Sequence, residues 1–252
     1  MATFEEEFDR IEPTIRRWLL LLLLGKKIEV RGENNFVRKG PNIIIGNHCG
    51  AFKDVAVLVR IKPRLFFFTA NKAIFTREEF DRLIRKHLVR HLKDFGLVFN
   101  SMARPLKYLL MRFVVANVAR VGTIPVDLRA SKREAMKRCE DYLKKGRAIV
   151  ALQGRGRVVP RAAHPYVASF RRGAPILAYI LQTEHGISVP VTPLAIYGTQ
   201  KPWGIPARIG VNVGEPMFIA SYLSSDFRRS VEDFKNALEA RVKSLFLELV
   251  QA

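Results

Sequence analysis

Acidic residues are scarce in this chain: 23 Asp and Glu stand against 43 Lys and Arg, a formal charge of +20 over 252 residues. Such a surface seeks polyanions, so nucleic acid, an anionic membrane leaflet, a phosphorylated small molecule and an acidic carrier protein are the candidate partners. Cysteine is nearly absent. Cys49 and Cys139 are the only two and lie far apart, which excludes a disulfide framework or a close-spaced cysteine metal motif and makes a reducing cytoplasm the simplest setting. Long apolar runs are missing too: the longest, residues 18–24, holds seven residues, where a membrane-spanning helix needs about 20. No cleavable secretory signal is expected, because Glu5, Glu6, Glu7 and Asp9 occupy the place of its basic region. With neither a low-complexity tract nor a flexible linker, and with 48% hydrophobic residues, a single domain with a substantial core is expected.

Short β-branched runs alternate with amphipathic helical segments along most of the chain. Strands are expected at residues 27–31, 42–47, 65–70, 122–126, 148–152, 188–197 and 208–213, and the last helix carries Val231, Phe234, Leu238, Val242, Leu245 and Leu249 on one face. This order indicates an α/β fold with a mostly parallel central sheet flanked by helices. Residues 4–24 read as an N-terminal amphipathic and apolar helix, broken or kinked near Pro13, with Arg16 and Arg17 directly before Trp18 and six leucines. That pattern suits a helix lying in a membrane interface, and equally one buried under the domain.

Chemistry concentrates where strands end. The isoleucines at 43–45 lead to Asn47 and then His48, with the small residues Cys49, Gly50 and Ala51 before Asp54 opens the next apolar segment. A helix starting there brings Asp54 back toward the imidazole, the arrangement of a general base and its orienting carboxylate. If the loop must bulge for Asp54 to reach the ring, Gly50 is the residue best able to absorb it, since glycine adopts positive φ without penalty. The plainer alternative makes Asp54 a helix N-cap and His48 a polar loop residue. A second site candidate follows the strand at 148–152, where Gln153, Gly154, Arg155, Gly156 and Arg157 form a basic, glycine-bearing loop able to hold phosphate oxygens or simply to be solvated. Ligands of parallel sheets sit at strand carboxyl ends, and His48, Arg129 and this loop all fall there. His87 and His91 lie one helical turn apart without a third ligand in register, so no metal is expected.

Four blocks in this order resemble the glycerophospholipid acyltransferases, the superfamily that includes the 1-acylglycerol-3-phosphate acyltransferases: Asn47-His48 through Asp54, residues 122–129, residues 152–155, and residues 189–194. Supporting segments at 27–32, 170–174 and 213–216 carry the resemblance over about residues 25–220. It implies an acyltransferase domain over residues 26–252, with residues 1–25 expected before it as a membrane-interface helix. The implied reaction moves a fatty acyl group from acyl-CoA or acyl carrier protein, as co-substrate, to a hydroxyl of a lysophospholipid or related glycerolipid. His48 would take the hydroxyl proton, Asp54 would hold the ring, and Arg129, Gln153, Gly154, Arg155 and Arg157 would bind the acceptor's phosphate. No bound cofactor is implied, the expected place is the cytoplasmic face of a membrane with anionic lipids, and no nucleic-acid motif accompanies the basic charge.

The sequence departs from the family in ways that bear on the acceptor. Five residues separate His48 from Asp54, one more than is usual in the family. Gln153 stands where the family places Glu, Gly156 where it places Arg, and Leu128 separates Asp127 from Arg129. A non-catalytic relative that binds lipids or acyl carriers is the alternative these departures support.

Overall fold

The structure, a computed structural model, describes residues 4–92, 104–127, 132–154, 156–202 and 205–251. The strands are β1 (Lys26–Arg31), β2 (Asn42–His48), β3 (Phe66–Asn71), β4 (Ile124–Val126), β5 (Ala148–Gly154), β6 (Val191–Tyr197) and β7 (Ala207–Val213). The helices are α1 (Phe4–Leu21), α2 (Phe52–Ile61), α3 (Arg77–Leu92), α4 (Arg104–Asn117), α5 (Arg133–Lys144), α6 (Gly173–His185) and α7 (Phe227–Val250). The strands form one sheet in the order β1-β7-β6-β2-β5-β3-β4. Pairing is parallel for β1 with β7, β2 with β5, β2 with β6 and β3 with β4, and antiparallel for β6 with β7. The expected α/β fold with a mostly parallel sheet is therefore present.

The chain packs as two compact units, each discontinuous in sequence: Met1–Pro13 with Phe68–Ala135, and Thr14–Phe67 with Met136–Ala252. The larger holds β1, β2, β5, β6 and β7. Its central strands have no solvated face: Ile43, Ile44 and Ile45 of β2, Ile149 and Val150 of β5, and Leu194 and Ile196 of β6 are all buried, which is why these strands read as continuous apolar runs. Helix α7 begins at Asp226, whose carboxylate accepts from Arg228 N at 2.7 Å. It buries Val231, Phe234, Leu238, Val242 and Leu245, the stripe expected from their spacing, and packs against β6 and β7. Phe234 is fully enclosed, and its loss to alanine would cost about 3–5 kcal/mol.

The smaller unit has a core of Ile74, Phe80, Met111 and Val118, with Lys107 of α4 bound to Asp81 of α3 at 2.6 Å. Helix α1 runs without a break through Pro13. Its two ends differ: Phe8 and Ile11 are buried, whereas Trp18 and Leu21, and Leu24 just beyond, are about half exposed. No helix among the described residues is long and apolar enough to cross a membrane. Strand β5 runs two residues past its expected end, so Gln153 and Gly154 pair with Asn47 and His48. That register fixes what surrounds His48.

Candidate active site

β2 pairs with β6 only as far as Gly46 opposite Leu194, and the next side chain continues the ladder. Asn47 is fully buried; its Oδ1 accepts from Ile196 N at 2.8 Å and its Nδ2 donates to Ile196 O at 2.9 Å and Tyr166 O at 3.2 Å. An amide that copies a peptide group in this way pins the end of β2, and with it the position of His48.

His48 Nδ1 lies 2.7 Å from Asp54 Oδ2. Asp54 is fully buried, and its carboxylate has further donors: Gly50 N to Oδ2 at 2.8 Å and the Thr199 hydroxyl to Oδ1 at 2.5 Å. A carboxylate that only accepts requires the ring proton on Nδ1, so the neutral imidazole keeps its lone pair on Nε2. The N-cap position of α2 belongs to Ala51, and no side chain caps it. Asp54 is therefore a first-turn residue aimed at the ring, not the N-cap of the plainer alternative.

The bulge is also not where it was expected. Among the described residues Ala51, with φ +52° and ψ −126°, is the non-glycine residue in the left-handed half of φ space, and Gly50 is not among the positive-φ glycines. Gly50 is needed for room instead: a Cβ there would stand 2.3 Å from Thr199 Cβ and Oγ1 and 2.8 Å from Asp54 Oδ1. Gly156, at φ +68°, has a related role on the other side of the ring, because a Cβ there would lie 3.3 Å from His48 Nε2. An acceptor oxygen must come within about 2.6–3.2 Å of that nitrogen, so the space beside it is kept by the absence of a side chain.

A cavity of about 190 Å³ opens beside His48, lined by Gly154, Arg157, Val159, His164 and Tyr166 among others. This is room for the reacting end of a larger molecule. The segment after β5 that walls the cavity closes on itself, with Val159 N donating to Pro165 O and Ala162 N to Val159 O, each at 2.9 Å. Tyr166 anchors it, stacked on Phe246 of α7 with ring centroids 5.2 Å apart and edge-on to Tyr197 at 5.6 Å.

No family model and no curated protein matches the sequence. Among solved structures, the crystal structure of the 1-acyl-sn-glycerophosphate (LPA) acyltransferase PlsC from Thermotoga maritima is similar over 97% of this chain and 83% of that one, with a TM-score of 0.53 and 17% identity. The chain shares the fold of that protein. At this identity the fold is what the two share.

On that fold the expected binding residues separate. Arg157 and Gly154 line the cavity with His48. Gln153 does not reach it: buried, it donates from Nε2 to Ala151 O at 3.1 Å and accepts from Arg171 N on Oε1 at 3.1 Å. Its amide thus fastens β5 to the segment before α6. Arg129 and Arg155 lie outside the described residues, as do the side chains of His87 and His91. Cys49, the neighbour of His48, is no rival nucleophile. Burial, reinforced by the Asp54 charge, pushes its thiol up to about 12, and Sγ faces Ile196 O at 3.8 Å and Thr199 Oγ1 at 3.6 Å. Sequence reasoning did not anticipate Thr199, His164 or Tyr166. Only the third dimension brings them to His48.

Proposed function

We propose that this chain is an O-acyltransferase that moves a fatty acyl group from acyl-CoA or acyl carrier protein to a hydroxyl of a lysophospholipid or related glycerolipid. The observation that carries the reading is the 2.7 Å contact of His48 with a fully buried Asp54 at the mouth of a cavity. Nε2 accepts the proton of the acceptor hydroxyl as its oxygen attacks the thioester carbonyl carbon, and Asp54 stabilises the imidazolium that forms. When the tetrahedral adduct collapses, the carbon–sulfur bond breaks and the imidazolium returns the proton to the departing thiolate. The ester and the free thiol account for every atom, and His48 ends as it began.

Arg157 supplies a guanidinium for an anionic head group, and the family resemblance adds Arg129 and Arg155. With Gln153 engaged by backbone and Gly156 where the family carries arginine, the head group is best found by trial over several lysolipids. The site of action is an anionic membrane on its cytoplasmic face, with residues 1–25 as the interfacial segment. Exposed Arg16 and Arg17 beside half-exposed Trp18, Leu21 and Leu24 support this. The deciding experiment supplies radiolabelled acyl-CoA, or acyl carrier protein, and a panel of anionic, zwitterionic and neutral lysolipids to the purified chain. Labelled diacyl product with at least one acceptor is expected. Lipid binding without transfer from either donor would contradict the proposal and favour a non-catalytic lipid-binding role.

A further inference from the structure

We infer that Thr199 is a positioning residue of the proton-transfer pair, acting on His48 through Asp54; the inference rests on the reaction proposed above. Thr199 and Asp54 are 145 residues apart, both fully buried, and joined by a hydroxyl-to-Oδ1 hydrogen bond of 2.5 Å. The bond is at the short end for a hydroxyl donating to a carboxylate. The Thr199 hydroxyl has one proton and two nearby acceptors. Cys49 Sγ, at 3.6 Å, is the more distant and the weaker, so the proton goes to Asp54.

The placement of Thr199 is built by its neighbours. β2 and β6 run parallel and end at the same edge of the sheet, so the turn after β6 arrives at the head of α2. Gly198 makes that turn at φ +99°, where a Cβ would meet Arg208 O at 2.2 Å, and its N–H donates to Gln200 Oε1 at 2.9 Å. Lys53 of α2 ties the turn down from the other side by donating to Lys201 O. Gly50 leaves the gap through which the threonine reaches the carboxylate.

The consequence for catalysis follows from how the carboxylate is held. Oδ2 alone serves His48 and Gly50, and Oδ1 alone is held by Thr199. Without the hydroxyl, a buried anion loses one of its donors and the brake on rotation about its Cβ–Cγ bond. The ring then loses a fixed partner during the step in which it becomes charged.

The test compares Thr199→Val, which keeps shape and deletes the hydroxyl, with Thr199→Ser, which keeps the hydroxyl. Thr199→Val should lower kcat roughly ten- to a hundredfold, leaving KM for both substrates within about twofold. Thr199→Ser should stay within about threefold of the parent, because the charge-assisted bond is retained. A second readout needs no turnover: the proton NMR signal of the His48 Nδ1–H, present in the parent and in Thr199→Ser, should move or vanish in Thr199→Val. Should Thr199→Val fail to fold, Thr199→Ala takes its place in both measurements. An unchanged kcat together with an unchanged Nδ1–H signal overturns the inference, as does a loss of rate that serine does not restore. A parent chain that transfers no acyl group contradicts the proposed reaction instead, and the NMR comparison still decides whether Thr199 holds the pair.

Discussion

Asp54 reaches His48 across five intervening residues, and the contact is no looser for it: Nδ1 and Oδ2 stand 2.7 Å apart. Between them the chain turns at Ala51, whose φ of +52° an L-residue rarely adopts. Backbone strain of this kind persists where surrounding contacts over-determine it. Here Ala51 O accepts from Asp54 N at 3.2 Å on one side, and on the other Gly156 leaves room, since a Cβ there would lie 3.2 Å from Ala51 Cα and Cβ.

Ala51→Gly should therefore stabilise the protein. Relief of about 1–3 kcal/mol of strain outweighs the 0.5–1 kcal/mol or so of extra chain entropy that glycine brings. A net gain of about 1 kcal/mol raises Tm by roughly 2–4 °C in a chain of this size. Calorimetry showing a lower Tm for Ala51→Gly would mean that the positive φ is unstrained.

Much of the fold is legible in the sequence because its signals are local. The isoleucines of β2, the stripe of α7 and the proximity of His48 to Asp54 all depend on residues within a few turns of one another. The contacts that complete the site do not: Asn47 with Ile196 and Asp54 with Thr199 span 149 and 145 residues, and no periodicity encodes them. The loop placement expected for Gln153 differs for another reason. A polar residue between leucine and glycine reads as a loop, yet the register of β5 with β2 keeps it in the sheet and turns its amide to backbone. The placement of the bulge at Gly50 failed because glycine was read for its backbone freedom, when here it is the missing Cβ that matters.

The thiols give a pH-dependent test of the site's interior. Burial raises both Cys49 and Cys139 to about 12, against about 8.5 in an unfolded chain. The folded state thus keeps two protons that the unfolded state releases. Stability is complete below about pH 8.5 and falls as pH rises toward 12. Thermal melts should decline over that range, and iodoacetamide at pH 8.5 should label both cysteines in urea and neither in the native protein. Rapid native labelling of Cys49 would mean that the pocket behind His48 is open.

Helix α1 should serve the core with one end and lipid with the other. Replacing Trp18, Leu21 and Leu24 together with alanine should weaken sedimentation with anionic vesicles by about tenfold or more and leave Tm nearly unchanged. Phe8→Ala should do the reverse, at a stability cost of about 3–5 kcal/mol. Added salt should weaken vesicle binding in every variant, since exposed charges are screened over about 8 Å at physiological ionic strength. Vesicle binding that survives the triple substitution would assign the exposed end of α1 another role.

The central claim, that His48 is the base of an acyl transfer, is tested most directly by single-turnover transfer of a labelled acyl group with the parent chain and His48→Ala side by side, with Tm recorded for each. The account predicts a rate lower by about 10²–10⁴-fold in His48→Ala, with Tm within a few degrees, because the half-buried ring lines a cavity and supports little of the core. Transfer by a folded His48→Ala within a few-fold of the parent rate would contradict it.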